Sequence, residues 1–153
     1  MGVPQFGERE PGHDYPDRPA AFAVIERQGL LAIVRVETGG RAGALDLPGG
    51  GLDPGETEAE AAARECGEEA GLRVAIEGPP FTRADHYFVS GDGTRRNTRG
   101  AFFVGRELGE APELKIEADT LLWLSPLEAV AGLARESHAW AVAAWLRGLH
   151  SRA

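Results

Sequence analysis

The stretch "PGGGLDPGE", residues 48–56, constrains the fold more than any other part of the chain. Its four glycines and two prolines exclude helix and regular strand, so the backbone is expected to form an irregular loop there. Thr57 then offers a helix N-cap, and Glu60 completes a capping box. Alanines at 59, 61, 62 and 63 favour helix strongly, and Gly71 supplies the left-handed stop. The expectation is a tight loop feeding a helix whose last turns read "RECGEEAG".

That helix breaks a local rule. Glu65, Glu68 and Glu69 crowd its C-terminal end, where the macrodipole disfavours each anion by roughly 0.3–1 kcal/mol. Positions i, i+3 and i+4 share a helix face, so the three carboxylates converge and repel. A solvated acidic face would bear this at modest cost. A divalent cation would reverse its sign, because hard cations gather several oxygen ligands. Gly67 adds a mid-helix cost of about 1 kcal/mol against Ala, with no local reason for it. Cys66 reads as a small buried hydrophobe.

Around this core the pattern is α+β. "AAFAVIE" and "LLAIVRV" read as a hairpin turning at Gly29, and "LDL" as a short strand. "LRVAI", "FTRADHYFV" and "TRGAFFVG" are further strands, the last two joined by "SGDGTRRN". "TLLWL" is another strand, and Ser125, Pro126 and Glu128 start a helix through about residue 133. A last helix starts near Ser137. Residues 20–150 are expected to form one domain, and residues 1–19, rich in Pro, Gly and charge, a loosely ordered arm, lid or dimer arm.

A net charge of -8 disfavours long DNA or RNA as a partner, since such binding neutralises many phosphates. One cysteine excludes an internal disulfide and fits a reducing, cytoplasmic setting. No apolar run approaches the roughly 20 residues of a membrane span, so no membrane partner is expected.

The segment 50–72, "GGLDPGETEAEAAARECGEEAGL", resembles the Nudix box of the Nudix hydrolases at each specified position: Gly50, Glu56, Arg64, Glu65, the apolar slot at Cys66, Glu68, Glu69, Gly71 and Leu72. The resemblance implies a mixed β-sheet sandwiched between helices, α/β/α, over roughly residues 20–149. It implies Mg²⁺ or Mn²⁺ held by Glu65, Glu68 and Glu69 and by the Gly49 carbonyl, with Glu65 a further ligand or the general base. Arg64 would pair with Glu56 and pin the loop to the helix. Glu117, with Asp119 second, resembles the further glutamate that completes the metal site in relatives.

The reaction implied is attack of water on phosphorus in a nucleoside diphosphate linked to another group. The substrate is a small nucleotide, with dinucleoside polyphosphate or nucleoside triphosphate favoured. The proline that marks relatives acting on ADP-ribose is missing from its place; Pro79 and Pro80 come too early. Tyr87 stands where relatives acting on diadenosine polyphosphates carry a tyrosine, and is a candidate for stacking on a base, or else a core aromatic. Arg35 is a candidate phosphate ligand, and the pair Arg95–Arg96 is either a second one or part of a solvated turn. His86 and His138 show no ligand spacing. Three other readings stay open: an ADP-ribose or nucleotide-sugar hydrolase, a nucleotide sensor without turnover, and an RNA 5′-end pyrophosphohydrolase. Many relatives are dimers, so a homodimer is a further expectation.

Overall fold

The computed structural model describes residues 2–152, with side chains through Leu149. The strand "DRPAAFAVIER", β2 (Asp17–Arg27), organises it. Its residues 20–25 are buried on alternate sides. Ala20, Phe22 and Val24 face one cluster, and Ala21, Ala23 and Ile25 face the other side. A strand buried on both faces reads as a continuous apolar run rather than an alternation, as this one does.

β2 turns through Gln28 and Gly29, both at positive φ, into β3 (Leu30–Arg35). The hairpin is antiparallel, with Glu26 opposite Leu31. On its other edge β2 runs parallel to β7 (Arg95–Glu110). β7 is antiparallel to β6 (Leu72–Val89), and β1 (Gln5–Phe6) adds in parallel to β6. β4 (Leu45–Asp46) and β8 (Thr120–Leu124) both pair with β3. The sheet is therefore mixed. "LRVAI" and "FTRADHYFV" form one strand, broken in register between Glu77 and Thr82, where Gly78, Pro79 and Pro80 intervene.

The expectation that the glycine loop contains no strand is corrected. β5 (Gly49–Gly51) pairs antiparallel with Ala20–Phe22 of β2. Glycine lacks the side-chain signal of a strand, but Ala23 N–H to Pro48 and Leu52 N–H to Pro19 hold the segment against β2 from both ends.

Helix α1 (Glu58–Ala70) starts at the Thr57–Glu60 capping box and stops at Gly71, whose φ is 66°. Its Ala61, Ala62, Cys66 and Ala70 cover one side of the sheet. α2 (Pro126–Gly132) and α3 (Glu136–Arg152) cover the other through Ala129, Ala141, Val142 and Trp145. Burial pushes the Cys66 thiol well up, consistent with packing rather than reactivity.

Residues 2–19 of the arm make specific contacts. Phe6 lies 6.0 Å from Trp140 of α3, Tyr15 makes an edge contact with Tyr87 at 5.3 Å, and β2 begins inside the segment. Two aromatic anchors and a strand pairing offset the ordering entropy that its Pro- and Gly-rich composition implies.

Gly67 has a packing explanation. A Cβ there would lie 3.2 Å from both Cβ and Cδ1 of Leu114, in the 3-10 turn Pro112–Leu114. The missing side chain lets that turn approach α1. The N–H groups of Ile116 and Glu117 then both reach the Glu68 carbonyl at 3.0 Å.

Candidate active site

The C-terminal turns of α1, the strand β5 and the turn after residue 114 meet at a cleft of about 420 Å³. Its lining includes Gly49, Gly50, Gly51, Glu65, Glu69 and Glu117. Gly49 has φ 152°, and a Cβ on it would come within 2.6 Å of the Phe22 Cα. Only glycine lets this loop lie so close on β2. The Gly49 N–H donates to Glu69 Oε1 at 2.8 Å. Gly50 meets Glu65, whose carboxyl carbon a Cβ would approach to 2.9 Å.

Arg64 is the main counter-charge. Its Nε and Nη2 bind both oxygens of Glu56 at 2.8 and 3.0 Å, and Nη2 also reaches the Gly51 carbonyl at 3.0 Å. Nη1 bonds Glu65 and Glu68, each at 3.0 Å. The expected Arg64–Glu56 pair is thus present, and it ties the glycine loop to α1. Glu68 shares the Arg64 Nη1 with Glu65 and lies just outside the cleft lining, beside the other two carboxylates.

The remaining carboxylates are under-compensated. Burial raises the Glu69 pKa well above its ordinary value, the Gly49 N–H opposes this, and Glu65, Asp119 and Asp46 add to the rise. Burial also raises Glu65, against the pull of Arg64. Asp119 shares a hydrogen bond with Glu69 and is itself raised, again chiefly by burial. Glu117 is exposed at the rim of the same cleft. Among the described residues no three of these side chains stand close enough together to hold an ion by themselves. They are hard oxygen donors with excess negative charge, which suits Mg²⁺ or Mn²⁺.

Two other expected residues lie elsewhere. Arg35 is committed to Glu37 through a two-pronged pair at 3.1 and 3.2 Å, outside the cleft lining. Tyr87 points to the opposite side of β6, where Tyr15 packs on it and the Arg9 guanidinium lies 5.9 Å from its ring. Its neighbour Phe88 lines the cleft instead. A shift of one residue along a strand exchanges the two faces, and the sequence left that choice open.

The far wall went unread in the sequence. Phe88 stacks under Arg135 at 3.8 Å and Arg41 at 4.9 Å. Both arginines pair with the buried Asp46, at 3.4 and 2.7 Å. Burial alone would raise Asp46, but Arg41 and Arg135 hold it down at about 2. His138 is fully buried and accepts the Leu47 N–H on Nδ1, a structural role that fixes the entry to the glycine loop. A larger cavity, about 520 Å³, lies under the end of α3 against Val24, Phe81 and Trp145, away from this chemistry.

The NUDIX domain family matches residues 16–146, which contain the glycine loop, α1 and all of the cleft lining. The chain belongs to the Nudix hydrolase family. A curated RNA pyrophosphohydrolase from Rhizobium meliloti is 34% identical to this Nudix hydrolase over 117 residues, 67% of this chain and 70% of that one. A solved NUDIX hydrolase from Nitrosomonas europaea superposes with TM-score 0.71 at 24% identity, over 87% of this chain and 90% of its own. An ADP-ribose pyrophosphatase from Streptococcus suis gives TM-score 0.62 at 21% identity, over 89% and 92%. These two likenesses establish the Nudix fold. Among the described residues no helix is long and apolar enough to cross a membrane.

Proposed function

We propose that this Nudix hydrolase is a divalent-metal-dependent pyrophosphohydrolase that cleaves a small nucleoside diphosphate derivative by attack of water on phosphorus. The observation that carries the reading is the under-compensated carboxylate group at Glu65, Glu69 and Asp119, set beside the glycine strand in a cleft. Mg²⁺ or Mn²⁺ would be held by Glu65, Glu68, Glu69, the Gly49 carbonyl and Glu117, with Asp119 beside them. When bound, the metal supplies charge neutralisation for the pyrophosphate and acidifies water.

The chain's own groups do the rest. The Gly49 N–H fixes one Glu69 oxygen, and Asp119 stands beside the same carboxyl. Glu65 is the base in this reading, because burial makes it a better proton acceptor than an ordinary carboxylate. Arg64, locked between Glu56, the Gly51 carbonyl, Glu65 and Glu68, holds loop and helix in register and orients both carboxylates. Leu47 and Pro48, pinned by His138 and by β2, give the loop a rigid footing.

The test incubates the purified protein and its Glu69→Gln variant with a nucleotide panel and Mg²⁺ or Mn²⁺, and follows phosphate and pyrophosphate release. Wild type should turn over at least one nucleotide and the variant should lose about 10²-fold or more. No turnover from wild type rejects the reading in favour of a nucleotide sensor, and an equally active variant rejects the metal-site role given to Glu69. The Rhizobium relative supports one second reading, action on a triphosphorylated RNA 5′ end; the protein's charge of -8 opposes it.

A further inference from the structure

β5 keeps opposite charges on its two sides. Gly50 meets the Glu65 carboxylate, and Gly51 meets Arg18, whose guanidinium carbon a Cβ would approach to 2.7 Å. The strand between them prevents Glu65 from closing on Arg18, so both remain available at the cleft.

The arginines nearby divide into two groups. Arg41 and Arg135 answer to Asp46, Arg64 to Glu56, and Arg95 to Glu10. Among the described residues Arg18 and Arg96 have no carboxylate partner, and the Arg96 Nε is buried without a hydrogen-bond acceptor. They lie on one face of the sheet, since Arg18 stands opposite Thr98 across the parallel β2–β7 pair and Arg96 is two residues before Thr98. Phe88 of the cleft stands opposite Arg96 on β6. Arg96 is close enough to depress the Arg18 pKa, after burial, while Glu65 and Asp92 oppose it. Asp92 is already occupied by the Ser90 hydroxyl and the Thr94 N–H. In a chain of net charge -8, two neighbouring cations with no carboxylate bonded to either require explanation.

We propose that Arg18 and Arg96 form a receptor for an unsubstituted terminal phosphate, so that the cleft favours a 5′-triphosphate over a diphosphate capped by a sugar or a second nucleoside. A terminal phosphate carries about two charges near neutral pH and offers three oxygens, which matches two guanidinium forks. An internal phosphate in a capped diphosphate carries one charge and two free oxygens, and leaves one arginine unmatched. The inference rests on the pyrophosphohydrolase reading for its substrate and on Arg18 and Arg96 for its selectivity. Free nucleotides and a triphosphorylated RNA end share this chemistry, and the experiment separates them.

The experiment measures kcat and KM with Mg²⁺ for nucleoside triphosphates, ADP-ribose, diadenosine tetraphosphate and a short 5′-triphosphorylated RNA. The proteins are wild type, Arg18→Ala, Arg96→Ala, Gly51→Ala and Arg147→Ala. A parallel titration follows binding of inorganic triphosphate. Wild type should prefer a triphosphate. Arg18→Ala and Arg96→Ala should raise its KM, and weaken inorganic triphosphate, by about ten- to hundredfold with kcat largely kept. The KM for ADP-ribose should stay unchanged. Gly51→Ala, which displaces the Arg18 guanidinium without removing it, should act in the same direction. Arg147→Ala, which removes an equal charge from the exposed face of α3, should match wild type.

Better turnover of ADP-ribose than of any triphosphate overturns the inference and leaves the pyrophosphohydrolase reading standing. Equal losses on capped and uncapped substrates, or no loss in either arginine variant, also overturn it. If no substrate is hydrolysed, the enzymatic reading fails and the inorganic triphosphate titration still decides on the receptor. A preference for the RNA over free nucleotides assigns the triphosphate to an RNA end.

Discussion

Glu69→Gln should stabilise the metal-free protein while removing its activity. In the folded state the Glu69 carboxyl accepts the Gly49 N–H at 2.8 Å and shares a hydrogen bond with Asp119, with Glu65 and Asp46 adding repulsion. An amide of the same shape keeps the first bond through its oxygen, donates to Asp119 through its nitrogen, and brings no charge. Relief of one such functional compromise is worth on the order of 1–2 kcal/mol. For a chain of this size that is about 2–8 °C in Tm. The sign in pH follows from the raised Glu69 carboxyl, which burial, then its acidic neighbours, make easier to protonate in the fold. Metal-free wild type should gain stability as pH falls from above that raised value toward the ordinary carboxylate range, and the variant should lose this part of the slope. Thermal unfolding by circular dichroism in chelator measures the difference. Adding Mg²⁺ should reverse the order, since a ligand at a hundredfold over its Kd contributes about 2.7 kcal/mol to wild type. A variant that melts below wild type in chelator would refute the reasoning, because the carboxylate would then be stabilising without a cation.

Other outcomes are expected from the same geometry. Asp46, held at about 2 against burial by Arg41 and Arg135, contributes roughly 2 kcal/mol that is present above the ordinary aspartate range and lost as pH falls toward 2. Asp46→Asn should flatten that acid limb in urea unfolding, and an unchanged limb would contradict the ion-pair account. Gly67→Ala gains up to about 1 kcal/mol of helix propensity. It also pushes on Leu114 and the turn that carries Glu117, so Tm should hold or rise while kcat/KM falls; unchanged activity would sever Gly67 from the site. Arg64→Lys keeps the charge but not the fork to Glu56, the Gly51 carbonyl, Glu65 and Glu68. Metal affinity by calorimetry should drop about 10–100-fold, and a Lys variant that binds as well would deny Arg64 its orienting role.

What could be read from the sequence was local. The Thr57 cap, the Gly71 stop and the β2–β3 turn are each specified within a few residues, and each is where the sequence placed it. The family frame covers Glu56, Arg64, Glu65 and Glu69, which are local in the same sense, since all sit on one loop and helix. β5 escaped because three glycines carry no strand signal and the pairing belongs to the backbone of β2. Arg18, Arg41, Phe88 and Arg135 come from four separate segments, and only sheet register and loop closure bring them to one cleft. Of the two readings of Tyr87, its contact with Tyr15 fits the packed aromatic, and Phe88, one step along β6, takes the cleft side.

The position of β2 has a consequence for how the site comes into being. β2 pairs with β3, β5 and β7, and its contact with β7 joins residues 17–25 to residues 97–105. The glycine strand therefore has no template until a long loop has closed, and loop closure is an entropic cost that local helix propensity does not reduce. An excised loop and helix would keep its glutamates and lose the surface that shapes them into a site. The binding centre is in this sense a late product of the fold, assembled around a strand that contributes no carboxylate to it.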